Sequence, residues 1–177
     1  MAAENKMTVG RNEPVDFAGV ARRVPAKIDT GADTSSVWVS NIRVDKNGTL
    51  RFNLFGEESP YYTGRVVKRE QYQVGIVRSA SGHEQIRYRT QFSLRIAGKR
   101  IRATFTLSDR SKNRFPVLIG RRTLSRKFIV DVSQSHYSEK KVFTEENREL
   151  NRALEKDAYE FYKSHYKHTG LSVRKKI

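Results

Sequence analysis

One carboxylate stands out by its neighbours. In Ala26-Lys27-Ile28-Asp29-Thr30-Gly31-Ala32-Asp33-Thr34-Ser35-Ser36, a β-like approach ends on Asp29 inside a Gly-containing turn. A single exposed carboxylate hydrolyses peptide bonds poorly. Two buried side by side cannot both ionise, so they share a proton and act together as general base and general acid. Only one such loop is present in the 177 residues. The chemistry therefore requires a second copy of the chain, with two Asp29 side chains facing one another across a twofold axis. The plain alternative is a turn carboxylate that caps its own backbone amides, a common use of Asp beside Gly. Taken alone, the loop favours that alternative.

Other groups with chemical potential are sparse. There is no cysteine and no His-Glu-x-x-His run. His83 lies in the small, turn-prone stretch Ser79-Ala80-Ser81-Gly82-His83, while His136, His165 and His168 fall near or beyond the last strand. A hydrolytic zinc needs about three protein ligands, so no metal site is expected. No Gly-rich phosphate loop ending in Lys-Ser or Lys-Thr exists, and no cofactor is expected. Asp109-Arg110 sits in a polar loop, where Asp109 can either contact substrate or close an Asx-type turn.

The elements that must position these residues read as β throughout the first three quarters of the chain. Met1 to Asp16 is polar and reads as an arm, with a short strand near Met7 to Gly10 and a turn at Arg11-Asn12-Glu13-Pro14. Val24 to Ile28 forms a strand that delivers Asp29, and Val37-Trp38-Val39 resumes β character after the loop. Asp45-Lys46-Asn47-Gly48 supplies a hairpin turn before Leu50, Phe52 and Leu54, which alternate. Tyr61 to Arg69 and Tyr72 to Arg78 are strand candidates. Arg87 to Thr90 answers the second, so that residues 79–83 become a hairpin tip able to extend over a cleft. Phe92, Leu94 and Ile96 alternate, Ala97-Gly98-Lys99-Arg100 turns, and Ile101, Ala103, Phe105 and Leu107 alternate back. Phe115 to Ile119 is an apolar run suited to burial on both faces, ended by Gly120. A short helix over Arg121 to Ser125 and a last strand through Phe128, Val130 and Val132 complete an all-β, barrel-like domain over residues 1–137. In residues 138–177 the period changes to that of one amphipathic helix, Thr144 to Tyr166, with Leu150, Leu154, Ala158, Phe161 and Tyr162 on one stripe, followed by a basic tail.

Asp29-Thr30-Gly31-Ala32 is the signature of retropepsin-like aspartic proteases, and Val117-Leu118-Ile119-Gly120-Arg121 resembles their second signature. From Val9 to Tyr137 the chain more closely resembles the bacterial RimB-like family, retropepsin-like proteins associated with RimK-type glutamate ligases and labelled ATP-dependent zinc proteases. Further residues that carry this likeness are Arg78 to Glu84, Thr106 to Arg110 and Val130-Asp131. The resemblance implies a closed acid-protease barrel acting as a homodimer, to which the C-terminal helix is an addition. It also implies a catalytic group of Asp29, Thr30 and Gly31. Thr30 would hydrogen-bond across the dimer, and Gly31 would let the backbone approach substrate closely. Ala32, Asp33, Ser81, Gly82 and His83 would contact substrate, with His83 at the tip of a flap. Asp33 and Arg121 would pair near the dimer contact. The chain departs from the family at two positions. Where relatives commonly carry Arg after Gly-Ala and Glu after Gly-Arg, it has Asp33 and Arg122, with the signs exchanged. Neither zinc nor ATP in the family label has a counterpart in the residues.

Charge bounds the partners. The formal charge is +16, and between Arg95 and Lys127 eleven Lys or Arg face a single acid, Asp109. Such a surface attracts acidic protein, nucleic acid or the ribosome, and charge alone does not choose among them. No membrane-length apolar run and no signal-peptide core occur in the sequence, so a cytoplasmic protein is expected. The functional expectation is an aspartic-type endopeptidase that hydrolyses a protein or peptide, with an acidic substrate, a RimK-type ligase or a ribosomal protein as candidate partners. The alternatives are a non-catalytic peptide-binding or regulatory partner of such a ligase, and a basic module that associates with ribosome or nucleic acid.

Overall fold

The computed structural model describes residues 6–78, 84–137 and 145–165. Two compact units divide at Tyr137 and Ser138. In the first, alternating apolar residues build β1 (Met7–Val9), β2 (Asn12–Phe17), β3 (Ala21–Asp29), β4 (Ser35–Val44), β5 (Leu50–Leu54), β6 (Val66–Arg69), β7 (Gln73–Arg78), β8 (Glu84–Ile96), β9 (Lys99–Ser108) and β10 (Val117–Gly120). The helical turn α1 (Arg121–Leu124) and β11 (Phe128–Val130) follow. Six of these strands close on themselves in the order β10-β3-β2-β8-β9-β4, because β10 lies parallel to β3 and antiparallel to β4. The result is a retropepsin-like closed barrel. β10 can be inserted between two strands because Val117 and Ile119 are fully buried and Leu118 is half-buried.

Long strands run out of the barrel into hairpins. The first part of β4, Ser35 to Trp38, pairs with β9, and the rest, from Val39 on and interrupted by a bulge between Ser40 and Arg43, pairs with β5. β8 pairs with β9 from Arg89 onward and with β7 before it, leaving Val74, Ile76 and Ile86 exposed on the projecting hairpin. The β8–β9 turn is narrower than the four residues expected. Ala97 and Gly98 alone make it, both with positive φ, as a two-residue turn matched to strand twist requires. Inside, Phe17, Phe92 and Phe105 meet edge to face with centroids 5.5–5.7 Å apart, which fixes their packing beyond the burial of area.

Three expectations are corrected. Residues 11–14 do not turn, and the segment is no arm: Asn12 and Glu13 begin β2 and are buried. The polar side chains that suggested a loop are consumed internally. Gly10 N donates to Glu13 Oε1 (2.6 Å), while Asn12 Oδ1 accepts from the amides of His136 (2.8 Å) and Tyr137 (2.9 Å). Pro14 faces Pro25 before β2 gains its second neighbour at Val15, so no ladder bond is lost to it. The second correction concerns the late strands. Residues 61–65 are irregular, Val132 lies outside any strand, and β11 pairs in parallel with β1 in a separate two-stranded sheet. The third is in the second unit, where the single helix is two, α2 (Glu145–Lys156) and α3 (Ala158–His165). Asp157 interrupts them by accepting the amides of Tyr159 and Glu160, both at 3.0 Å, as an N-cap does.

Candidate active site

Asp29 is the last residue of β3, opposite Gly120 at the end of β10. The chain then turns, and Asp29 Oδ1 accepts the amides of Gly31 and Ala32, both at 3.1 Å. Its Oδ2 lies 3.2 Å from Lys27 Nζ, and a quarter of the side chain is exposed. Burial alone would raise this carboxyl, but the Lys27 ammonium, with the amides of Ala32 and Gly31, holds it below its ordinary value. In the single chain Asp29 is therefore an ionised, oriented carboxylate with one oxygen fixed by backbone and the other turned to a cation. Thr30 and Gly31 are exposed at the rim of the turn.

The loop is clamped from the second signature. Arg121 N donates to Ala32 O (2.8 Å) and Arg122 N to Asp33 O (3.2 Å). Ser35 Oγ, buried and 2.7 Å from Thr123 Oγ1, accepts the amide of Gly120 at 3.0 Å. A Cβ on Gly120 would come within 2.6 Å of the backbone of Thr34, so only glycine lets the two segments touch. Asp33 bridges both arginines, Oδ1 to Arg121 Nε at 3.1 Å and Oδ2 to Arg122 Nη2 at 2.8 Å. Asp33 and Arg122, the two positions at which the chain departs from its family's usual charges, thus neutralise one another. Although what burial it has would raise it, Asp33 is held below its ordinary value by these guanidinium groups.

Two residues that sequence reasoning did not assign enter the site. Lys27 was discoverable, because residues two apart on a strand share a face. Arg110 was less so: its Nη1 donates to Ser36 Oγ (3.0 Å) and its Nε to Phe115 O (3.2 Å), joining segments 74 residues apart. Burial and the charge of Arg87 lower Arg110, while the charge of Asp29 opposes them, so Arg110 feels both groups. Asp109 beside it accepts the Ser111 amide at 2.9 Å, which makes it the Asx-type turn weighed above. It also lines a groove of about 670 Å³ between β4, the loop after β5, and β8, with Trp38, Ile42, Glu58, Arg87 and Tyr88 in its wall. Asp29 is not part of that wall. Ser81, Gly82 and His83 lie outside the described residues. Among the described residues, no three His, Cys, Asp or Glu side chains gather as metal ligands would, and no helix is long and apolar enough to cross a membrane.

A closed six-stranded barrel that carries Asp-Thr-Gly at the end of one strand and Gly-Arg at the end of its parallel neighbour defines the retropepsin-like class. Within it, the family described as "RimB-like: Retropepsin-like aspartic endopeptidase RimB" matches residues 8–141, and the chain belongs to that family. Two curated relatives, each named probable alpha-L-glutamate ligase, come from Shewanella pealeana and Shewanella halifaxensis. Each is 26% identical over 137 residues, covering 75% of this chain and 30% of the ligase, so the chain spans less than a third of their length. A solved structure from Legionella pneumophila, described as of unknown function, shares the fold. Its TM-score is 0.59 at 23% identity, over 74% of this chain and 96% of that one.

Proposed function

We propose that this protein is an aspartic-type endopeptidase that works as a homodimer and cleaves acidic peptide segments. The observation that carries the reading is the Asp29 carboxylate, fixed by the Gly31 and Ala32 amides at the end of β3 with its second oxygen left to a neighbouring charge. When two such loops meet, like charges cannot both persist and the pair takes up one proton. The ionised carboxylate removes a proton from water as the water oxygen attacks the peptide carbonyl carbon. The protonated partner then gives its proton to the departing nitrogen as the C–N bond breaks. In this reading Thr30, exposed beside Asp29, bonds the opposite loop, and Asp33 with Arg121 stiffens the loop from behind. Ala32, Ser81, Gly82 and His83 remain the proposed substrate contacts.

The cations near Asp29 favour an acidic substrate. Lys27 is half-exposed, and Arg110 feels both the Asp29 carboxylate and the Arg87 guanidinium. Relatives named as glutamate ligases suggest the acid in question, a protein tail rich in glutamate, with the ligase or its ribosomal substrate as partner and the cytoplasm as the compartment. The Lys27–Asp29 ion pair also supports a second reading, in which the neutralised carboxylate only helps hold an acidic peptide and nothing is cleaved. Incubation with a glutamate-tailed peptide, read by mass spectrometry, separates them. Cleavage by wild type and none by Asp29→Asn is expected; binding without cleavage by either selects the second reading.

A further inference from the structure

The barrel has a second charged surface that this chemistry does not use. On the outer face of the β8–β9 pair, Arg89 stands opposite Thr106, Gln91 opposite Thr104, Ser93 opposite Arg102 and Arg95 opposite Arg100. Gln91, Ser93, Arg95, Arg100 and Arg102 are exposed, Arg89 and Thr104 half-buried and Thr106 buried, so the open face is a strip of arginine, glutamine and serine in which one cross-strand pair is Arg against Arg. Like charges directly opposite one another destabilise a sheet. No ion pair offsets this one. Among the described residues, neither Arg95, Arg100, Arg102 nor the adjacent Arg22 has an ion pair or side-chain hydrogen bond. One acid faces the pair, Asp16, opposite Arg95 on β2 and in the wall of the groove that the pair lines, and its Oδ1 accepts the Arg23 amide at 2.8 Å. Two grooves of about 730 and 710 Å³ meet along this face, sharing Phe17, Ser93 and Arg102. The first adds Arg22, Arg95, Arg100 and one acid, Asp16; the second adds Arg69, Arg89 and one acid, Glu70. Arg89 Nε is buried there without a hydrogen-bond partner.

We infer that this face binds a double-stranded nucleic acid through its phosphates, without reading bases. The residue types select this occupant. A protein partner would need an apolar or aromatic anchor at the centre of the contact, and a single strand would need aromatic platforms for stacking. The strip itself presents neither, since Phe17, Phe92, Leu94 and Ile101 beneath it are buried, and the half-buried Tyr72 in the second groove's wall packs edge to face on Tyr88 with its OH donated to Gly48 O at 2.8 Å. Guanidinium groups with interleaved hydroxyls and an amide are the donors that phosphate oxygens accept. The face also lies toward the Ala97–Gly98 turn of β8, and neither of its grooves is lined by Asp29 or by the turn that follows it. Phosphate binding and the Asp29 chemistry are therefore separable.

The experiment is fluorescence anisotropy of a labelled RNA duplex across a salt series, with the full chain. Replacing Arg95, Arg100 and Arg102 by alanine is expected to weaken binding at least tenfold and to flatten the slope of log K against log salt by about 2–3, given roughly 0.9 per phosphate contact. Because it relieves the Arg95–Arg100 repulsion, this variant should melt no lower than wild type. Replacing Lys112, Arg126 and Lys127 by alanine removes equal charge elsewhere and should change affinity less than threefold, as should Asp29→Asn. Equal losses from the two triple variants would reduce the effect to net charge and overturn the site. So would poly-glutamate displacing the duplex from wild type at equal charge concentration, which would mark an acidic protein as the occupant.

Discussion

The two oxygens of Asp29 have different duties, and each can be tested singly. Oδ1 is committed to the Gly31 and Ala32 amides, so Asp29→Asn can retain an acceptor there while losing the acid and the attraction to Lys27. Peptidase activity is expected to fall at least a thousandfold with little change in melting temperature, as removal of a group acting directly on the reacting bond does in other hydrolases. Oδ2 carries the pH dependence. Burial would raise the carboxyl, Lys27 and the two amides outweigh it, and the net value lies below 3.8. A carboxyl lowered by folding stabilises the fold above its unfolded value and loses that contribution as pH falls through the folded one. Lys27→Met should shift Asp29 upward and shrink the part of the melting-temperature loss that occurs below about pH 4, measured by thermal scans between pH 2.5 and 6. Asp29 itself was legible in the sequence, because Asp-Thr-Gly after a β run is a local pattern. Lys27 could have been read from strand alternation. Arg110 could not, since its tie to Ser36 exists only once β9 lies parallel to β4.

At the scale of elements, the site depends on β10 reaching the Asp29 turn without a side chain in the way. Gly120→Ala would place a methyl against the Thr34 backbone at 2.6 Å and near Ala32 O at 2.9 Å. We expect a loss of about 1–3 kcal/mol by chemical denaturation, and a larger fractional loss of activity, because the strain falls on the loop that aims Asp29. Asn12→Ala tests a different joint. It removes the acceptor for the His136 and Tyr137 amides beside buried β2 and should cost about 2 kcal/mol in the same measurement. That joint explains why the N-terminal segment misled. Asn, Glu and Pro in succession are loop residues wherever water can solvate them, and nothing local reveals that Asn12 will be met by backbone from residues 136 and 137. The hairpins were legible for the opposite reason, as alternation and turn chemistry are both short-range. Asp157 shows the same limit from the helical side: an apolar stripe ran through it, and its ability to cap the next turn outweighed the stripe.

At the scale of the whole molecule, the β unit is closed by its own strands and its own last residues. Tyr137 OH, for example, donates to Arg23 O at 3.0 Å. A chain ending at Tyr137 is therefore expected to keep its β circular dichroism and a cooperative melt. Insolubility of that fragment would show that Leu150, Leu154 and Phe161 complete the core. The proposed dyad makes a stricter demand. Each chain described here holds one Asp29, and a lone carboxyl held below its ordinary value by Lys27 has no second carboxyl beside it to stay protonated for the leaving nitrogen. Activity should therefore follow pairs of chains. Sedimentation is expected to give a dimer at the concentrations where peptide is cleaved, with specific activity falling on dilution. Mixing supplies the sharper measurement. If wild type and Asp29→Asn are denatured and refolded together in equal amounts, random pairing of a twofold dimer leaves about one quarter of the dimers with both acids. Activity should then be about a quarter of that of the same total of wild type, against about half if each chain works alone. A value near one half would require a second acid within the same chain and would overturn the shared dyad.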